Sequence, residues 1–133
     1  MRVLDASVVI KWFKPDEKSE AVDLLLESHL AGEEIIFVPT LLLYEFANVL
    51  FFSKKLTSDE ITGAVERLFQ SRINFIPPDL ELSSSALALA ETAKISVYDA
   101  SYVALADHLQ CPLITADTKL YRSAHAIADI RLL

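Results

Sequence analysis

A chain of 133 residues is the size of one ordinary domain, and 53% apolar content with only 2 glycines and 5 prolines excludes a disordered segment and points to a compact, helix-rich fold. The formal charge of −7, from 12 Lys and Arg against 19 Asp and Glu, argues against a surface that grips phosphate by bulk positive charge. The single Cys111 excludes a disulfide framework and a thiolate zinc site, and fits a reducing, cytoplasmic setting.

Arg2-Val3-Leu4 reads as a first strand, so no signal peptide is expected ahead of the fold. A short helix follows over Val8 to Phe13, and a longer one covers roughly Ser19 to Ala31. Ile35 to Val38 is a second strand, after which Pro39-Thr40 introduces a helix from Leu41 to about Lys54. That helix is apolar nearly all round, which predicts burial. The apolar run from Ile35 to Phe52 is not expected to cross a membrane, because Pro39, Glu45 and Asn48 interrupt it. Thr57-Ser58-Asp59-Glu60 is a capping box opening a helix to about Ser71. Asn74 to Ile76 is a third strand, and Asp79, after Pro77-Pro78, caps a helix to about Ala93. Ser96 caps the next, from Val97 to about Leu109. A strand over Leu113 to Thr115, a helix near Thr118 to Ala126 and a strand over Ile130 to Leu132 complete the chain. Strands that are apolar on both faces and alternate with helices predict a single α/β domain over residues 1–133. Its architecture is a three-layer sandwich around a central, mostly parallel sheet. The apolar excess predicts self-association.

Two acids fall at carboxyl ends of strands, where such a sheet gathers its ligands, one in the first turn of a helix and one inside an apolar helical face. Asp5 ends the first strand with Ser7 two residues on. Taken alone, either residue is plainly read as a helix cap. Glu45 shares a face with Asn48 on an otherwise apolar helix, and a buried carboxylate needs a partner. A buried Lys or Arg, a dimer contact and a cation all satisfy that need. Asp99 lies three residues after Ser96 and suits the first turn of its helix as well as a crevice wall. Asp117 follows Thr115 by two residues and also reads as an N-cap. Each acid has a plain explanation, but their joint placement allows one converging cluster. Clustered carboxylates repel, so without a cation at least one pKa should rise. All-oxygen donors select Mg²⁺ or Mn²⁺ over zinc, and ions held that way suit phosphodiester hydrolysis. His29, His108 and His125 lack ligand spacing and read as surface or packing residues.

Asp-Ala-Ser-Val-Val-Ile-Lys-Trp-Phe at Asp5 to Phe13 resembles the opening motif of PIN domains, particularly the VapC-like toxins of type II toxin–antitoxin pairs. Three segments match in order: Pro39 to Leu50 with Glu45 and Asn48, Tyr98-Asp99-Ala100 through Leu105-Ala106, and Leu113-Ile114-Thr115-Ala116-Asp117. The resemblance spans essentially the whole chain. It implies a PIN fold and a Mg²⁺- or Mn²⁺-dependent endoribonuclease acting on RNA. Asp5, Glu45, Asp99 and Asp117 would hold the metal, with Ser7, Asn48 and Thr115 in support. It also implies a homodimer and a small VapB-like antitoxin, with no membrane partner. One departure is the turn His108-Leu109-Gln110-Cys111, where relatives often carry a glycine.

Dimerisation is expected through Leu41 to Phe52 and the following helix with Leu68 and Phe69. Lys11, Lys14, Lys54, Lys55, Lys119 and Arg122 flank the motifs as phosphate contacts or as plain surface charge. Trp12 and Tyr98 are read as core before base-stacking platforms. Two other readings stand beside the nuclease. A phosphoacceptor receiver domain fits poorly, because Asp5 is followed by Ala6 and Ser7 and Glu45 sits on a helix. A catalytically silent PIN-like module that binds RNA or protein fits the same residues without turnover.

Overall fold

The computed structural model describes residues 1–17 and 19–133. Arg2–Leu4 form β1, which lies between β2 (Ile36–Pro39) and β4 (Leu113–Thr115) in parallel ladders that pair Val3 with Phe37 on one side and Leu113 on the other. β3 (Asn74–Ile76) adds beside β2, and β5 (Ile130–Leu132) beside β4. Among the described residues the result is a five-stranded, all-parallel sheet in the order β3-β2-β1-β4-β5. The chain builds outward from β1 to β3, returns to β4, and then builds the other way. The sheet therefore has its switch point between β1 and β4, where a crevice opens beyond the carboxyl ends of the strands.

Seven helices connect these strands among the described residues. α1 (Ala6–Val9) tightens into a 3₁₀ turn at Ile10–Phe13 and is followed by a second at Pro15–Glu17. α2 (Glu20–Leu30) and α3 (Leu42–Phe52) flank β2 in sequence, and α4 (Ser58–Gln70) leads into β3. α5 (Leu80–Ala93) and α6 (Val97–His108) separate β3 from β4, and α7 (Thr118–Ala124) precedes β5. The expected caps of α4, α5 and α6 form: Thr57 and Glu60 complete the capping box, and Asp79 and Ser96 accept the N–H of Leu82 and Asp99; Ser19 also caps α2 by accepting from Val22 N–H. α6 crosses β1, β2 and β4, while α5 lies on α6 through Ala86, Ala90, Ala100 and Ala104. Those methyl-sized side chains let the two helices approach closely. Val3, Leu4, Ile36, Val38 and Leu113 are wholly buried, as strands covered on both faces must be.

Three expectations need correction. α3 is not buried all round. Leu42, Phe46 and Leu50 form a core stripe at i, i+4 and i+8, while Tyr44, Asn48, Phe51 and Phe52 face solvent. A mostly apolar helix still has one inner face, and here the outer face is largely aromatic. Leu68 is fully buried and cannot serve a dimer contact, whereas Phe69 is exposed beside Phe75. The second strand ends at Pro39 rather than Val38, with Ile35 exposed.

The glycine-poor turn after α6 does what a glycine would do. Gln110 takes the left-handed conformation at φ +51, and its N–H donates to Asp107 O at 3.0 Å. Cys111 N–H donates to Ala106 O at 3.0 Å, which completes the C-terminal capping pattern.

Candidate active site

Asp5 stands at the carboxyl end of β1, beside the switch point, and is almost wholly buried. It occupies the N-cap position of α1, yet its side chain makes no capping bond. The carboxylate is instead held by two hydroxyls. Ser7 Oγ and Thr115 Oγ1 both donate to Oδ2, the latter at 2.9 Å. Those hydroxyls are themselves fixed from the β4–α7 loop: Ala116 N–H donates to Ser7 Oγ at 3.0 Å, and Asp117 N–H donates to Thr115 Oγ1 at 3.0 Å. Ser7 and Thr115 thus tie β1 to β4 across the crevice and fix which way Asp5 points.

Asp117 does cap α7, accepting from Lys119 N–H at 2.7 Å and Leu120 N–H at 3.1 Å through Oδ1 alone. The capping and site readings are compatible, because Oδ2 carries no hydrogen bond among the described residues. Asp99 likewise belongs to a capped first turn, where its N–H donates to Ser96 Oγ at 3.0 Å. Its half-buried carboxyl is raised above the usual range by burial and then by the Asp5 charge. The Ser96 hydroxyl and Lys119 act against that shift, and Asp117 adds to it.

Glu45, on the first turn of α3, finds neither a Lys nor an Arg. Tyr102 Oη donates to its Oε2. Burial raises the Glu45 pKa, the Tyr102 hydrogen bond opposes the rise, and the Asp5 and Asp99 charges add to it. Tyr102 is fully buried in α6, one turn beyond Asp99. Burial and the neighbouring acids push its phenol far up, so it remains a donor. Sequence reasoning passed over this residue. The available signal was a phenol at i+3 from Asp99 within the otherwise small, apolar Ala100 to Ala106. Asn48 lies exposed in the groove that also holds Glu45.

Glu45 therefore feels the charges of Asp5 and Asp99, Asp99 feels those of Asp5 and Asp117, and none of the four is ion-paired within 4 Å to a cation among the described residues. Lys11 and Lys14 are taken up by Glu17 and Lys55 by Asp16, while Lys119 acts electrostatically on Asp99. The three histidines stand apart: His29 is packed inside, His108 lies near Glu81 and His125 stacks on Tyr121. Trp12 is core, donating Nε1–H to Val22 O at 2.8 Å, whereas Tyr98 is an exposed groove residue and not core.

Among the described residues no three His, Cys, Asp or Glu side chains are drawn together as a finished ion cage. The donor chemistry still fits a hard divalent ion. Glu45 and Asp99 have raised pKa values, Asp5 and Asp117 contribute to those rises, and Lys119 offsets only the Asp99 rise and only in part. An ion that keeps part of its water shell needs only one or two direct carboxylates.

The PIN domain family model matches residues 2–126 of the chain. Ribonuclease VapC3 of Pyrobaculum aerophilum is 31% identical over 122 residues, covering 89% of this chain and 90% of that protein. Ribonuclease VapC9 of Mycobacterium tuberculosis is 53% identical over 38 residues, 29% of this chain and 30% of that protein. Among solved structures, a toxin–antitoxin complex from Klebsiella pneumoniae superposes with a TM-score of 0.72 at 19% identity, covering 98% of this chain and 96% of the other. VapBC2 of Rickettsia felis, bound to a promoter DNA fragment, gives 0.72 at 16% identity over 98% and 97%. At those identities the two structures speak for the fold.

Proposed function

The chain belongs to the PIN domain family, and on that footing we propose that Asp5, Glu45, Asp99 and Asp117 form the active site of a metal-dependent endoribonuclease, the toxin of a toxin–antitoxin pair. One observation supports the assignment of these four residues: beside the sheet's switch point Glu45 is raised by burial and the charges of Asp5 and Asp99, and Asp99 by burial and those of Asp5 and Asp117, with no protein cation paired to them among the described residues. Burying uncompensated charge is costly, and a fold retains it where a ligand supplies the compensation.

The ion is Mg²⁺ or Mn²⁺, held by Asp5, Asp99, Asp117 and Glu45 directly or through water. When bound, it supplies a lowered pKa for an attacking water and charge stabilisation on the phosphate. The chain's own contribution is positional. Ser7 and Thr115 hold Asp5 Oδ2, and Oδ1 carries no hydrogen bond among the described residues. Tyr102 fixes Glu45 by Oε2, and Oε1 is free among the described hydrogen bonds. That free oxygen gives Glu45 Oε1 the role of proton acceptor. Asn48, at the rim, donates toward the RNA backbone.

The partners follow from the same family membership. A VapB-like antitoxin covers the acids in the resting complex, and the protein works as a homodimer in the cytoplasm. Among the described residues no helix is long and apolar enough to cross a membrane. The test is cleavage of single-stranded RNA by the purified protein. Activity should vanish in EDTA, return with Mn²⁺ or Mg²⁺, and fall by orders of magnitude in Asp5→Asn. Cleavage that survives chelation, or stays near the wild-type rate in Asp5→Asn, contradicts the assignment.

A further inference from the structure

α7 starts directly after Asp117, beyond the loop whose N–H groups hold the Asp5 clamp. The chain holds more acids than bases, yet residues 118–128 contain Lys119, Arg122 and His125 and no acid. Leu120 and Ala124 turn into the core, while Lys119 and Arg122 are exposed on the outer face. Their i, i+3 spacing sets the two Cβ atoms about 5–6 Å apart. Among the described residues neither is ion-paired within 4 Å, whereas Arg2, Lys11, Lys14, Lys55 and Arg131 all have carboxylate partners. The row is anchored at the crevice. Lys119 N–H donates to Asp117 Oδ1 at 2.7 Å, and the Lys119 charge reaches Asp99 on α6.

We propose that Lys119 and Arg122 grip the RNA backbone as it leaves the acids, Lys119 at the phosphate beside the scissile one and Arg122 at the next. The inference rests on the nuclease reading above. Four carboxylates carry more charge than one divalent ion neutralises, and an arriving phosphate adds to the excess. A cation at the edge of the cluster offsets that repulsion where the strand must pass. The net charge of −7 does not oppose such a contact, because exposed charges are screened beyond about 10 Å at 0.1 M salt. Two long, flexible side chains one turn apart can meet successive phosphates of a single strand. An acidic protein segment would satisfy the same two charges. The row, however, begins at an acid that the hydrolytic chemistry sets against a phosphate, so the continuing strand is the nearer occupant.

The probe is an end-labelled, random-sequence single-stranded RNA, titrated in Mn²⁺ between about 50 and 200 mM salt against Asp5→Asn protein, which spares the strand. Added to that background, Lys119→Gln and Arg122→Gln should each flatten the slope of log affinity against log salt by about 0.7, and together by about 1.4. Lys119→Arg keeps the charge and should keep the slope. Arg72→Gln, before the amino end of β3 at the opposite end of the sheet, should also leave it unchanged. In the otherwise wild-type chain, Arg122→Gln should raise KM for cleavage several-fold with kcat largely kept. Unchanged slopes in both α7 variants, or an equal loss in Arg72→Gln, overturn the backbone track. If the slopes hold and Lys119→Gln only tightens Mn²⁺ binding, Lys119 is a counter-ion of the acids and the track fails. If they hold and binding of poly-glutamate is lost instead, the row belongs to an acidic protein segment. Slopes that fall as expected in a protein whose wild type shows no Mn²⁺-dependent cleavage overturn the nuclease reading and leave the track standing.

Discussion

The two ends of the sheet treat a buried glutamate in opposite ways. At the amino end Glu34 meets the Arg2 guanidinium at 2.8 Å and the Met1 ammonium. Burial there raises its pKa, but the two cationic partners outweigh burial and hold the carboxyl below its usual range. At the carboxyl end Glu45 and Asp99 are also raised by burial, yet their neighbours are other acids and a phenol, so the rise stands. The residue types are nearly the same, and the surroundings decide the role. A compensated carboxylate stabilises the fold. An uncompensated one costs stability and keeps a place for something the chain does not provide.

The sharpest way to break this contrast is through activity. Asp5→Asn should lower RNA cleavage on the order of 10³-fold while the protein remains folded by circular dichroism. Glu34→Gln should leave cleavage unchanged. Tyr102→Phe, which removes the one donor on Glu45 and keeps the ring in the core, should cost about 10–100-fold in activity or metal affinity. Its melting temperature should fall only slightly.

Stability separates the two ends with smaller effects. In metal-free protein, Glu34→Gln should lose about 1 kcal/mol to denaturant, since it removes charge-assisted bonds to Arg2. Asp99→Asn should unfold at or above the wild-type midpoint because it relieves repulsion. The pH dependence has a defined sign. Glu45 and Asp99, raised in the fold, contribute stability that is complete below the unfolded carboxyl range and is lost as pH rises through their elevated values. Glu34, lowered in the fold, contributes stability that is complete above that range and is lost as pH falls through its depressed value. Metal-free stability should therefore rise from neutral pH toward about pH 4–5 and then decline. Denaturant midpoints across pH should show the upper arm flattened in Glu45→Gln/Asp99→Asn and removed by saturating Mn²⁺. The smallest effect lies away from both ends. Gln110→Gly should raise stability by about 0.5–1 kcal/mol by relieving a left-handed non-glycine residue.

Much of this was legible before any coordinates. Five strands and a mostly parallel sheet follow from short apolar runs alternating with helices, and the four acids stand out at two strand ends, in one helix's first turn and inside one apolar helix, whereas the strand order is read only from the fold. Local rules failed where long-range geometry decides. The Asp5 clamp joins residues more than a hundred positions apart through Ser7, Thr115 and Ala116, and no pattern along the chain announces it. Glu45 was known to need a partner, but the choice of Tyr102 depends on how α3 meets α6. The aromatic outer face of α3 was misread because hydrophobicity alone does not say which side of a helix meets the core. Composition gave the same result for Tyr98, where the apolar body of the ring suggested burial and the fold leaves it in the groove. The turn at Gln110 shows the converse: the backbone geometry is kept although the residue that usually eases it is absent.

The central claim is that the four acids act together as one ion site, and calorimetric titration of Mn²⁺ into metal-free wild type and Asp99→Asn tests it without any knowledge of the RNA. We expect saturable binding in the wild type that weakens at least about tenfold in the variant. Binding of equal strength in both proteins, or none in the wild type, would contradict it.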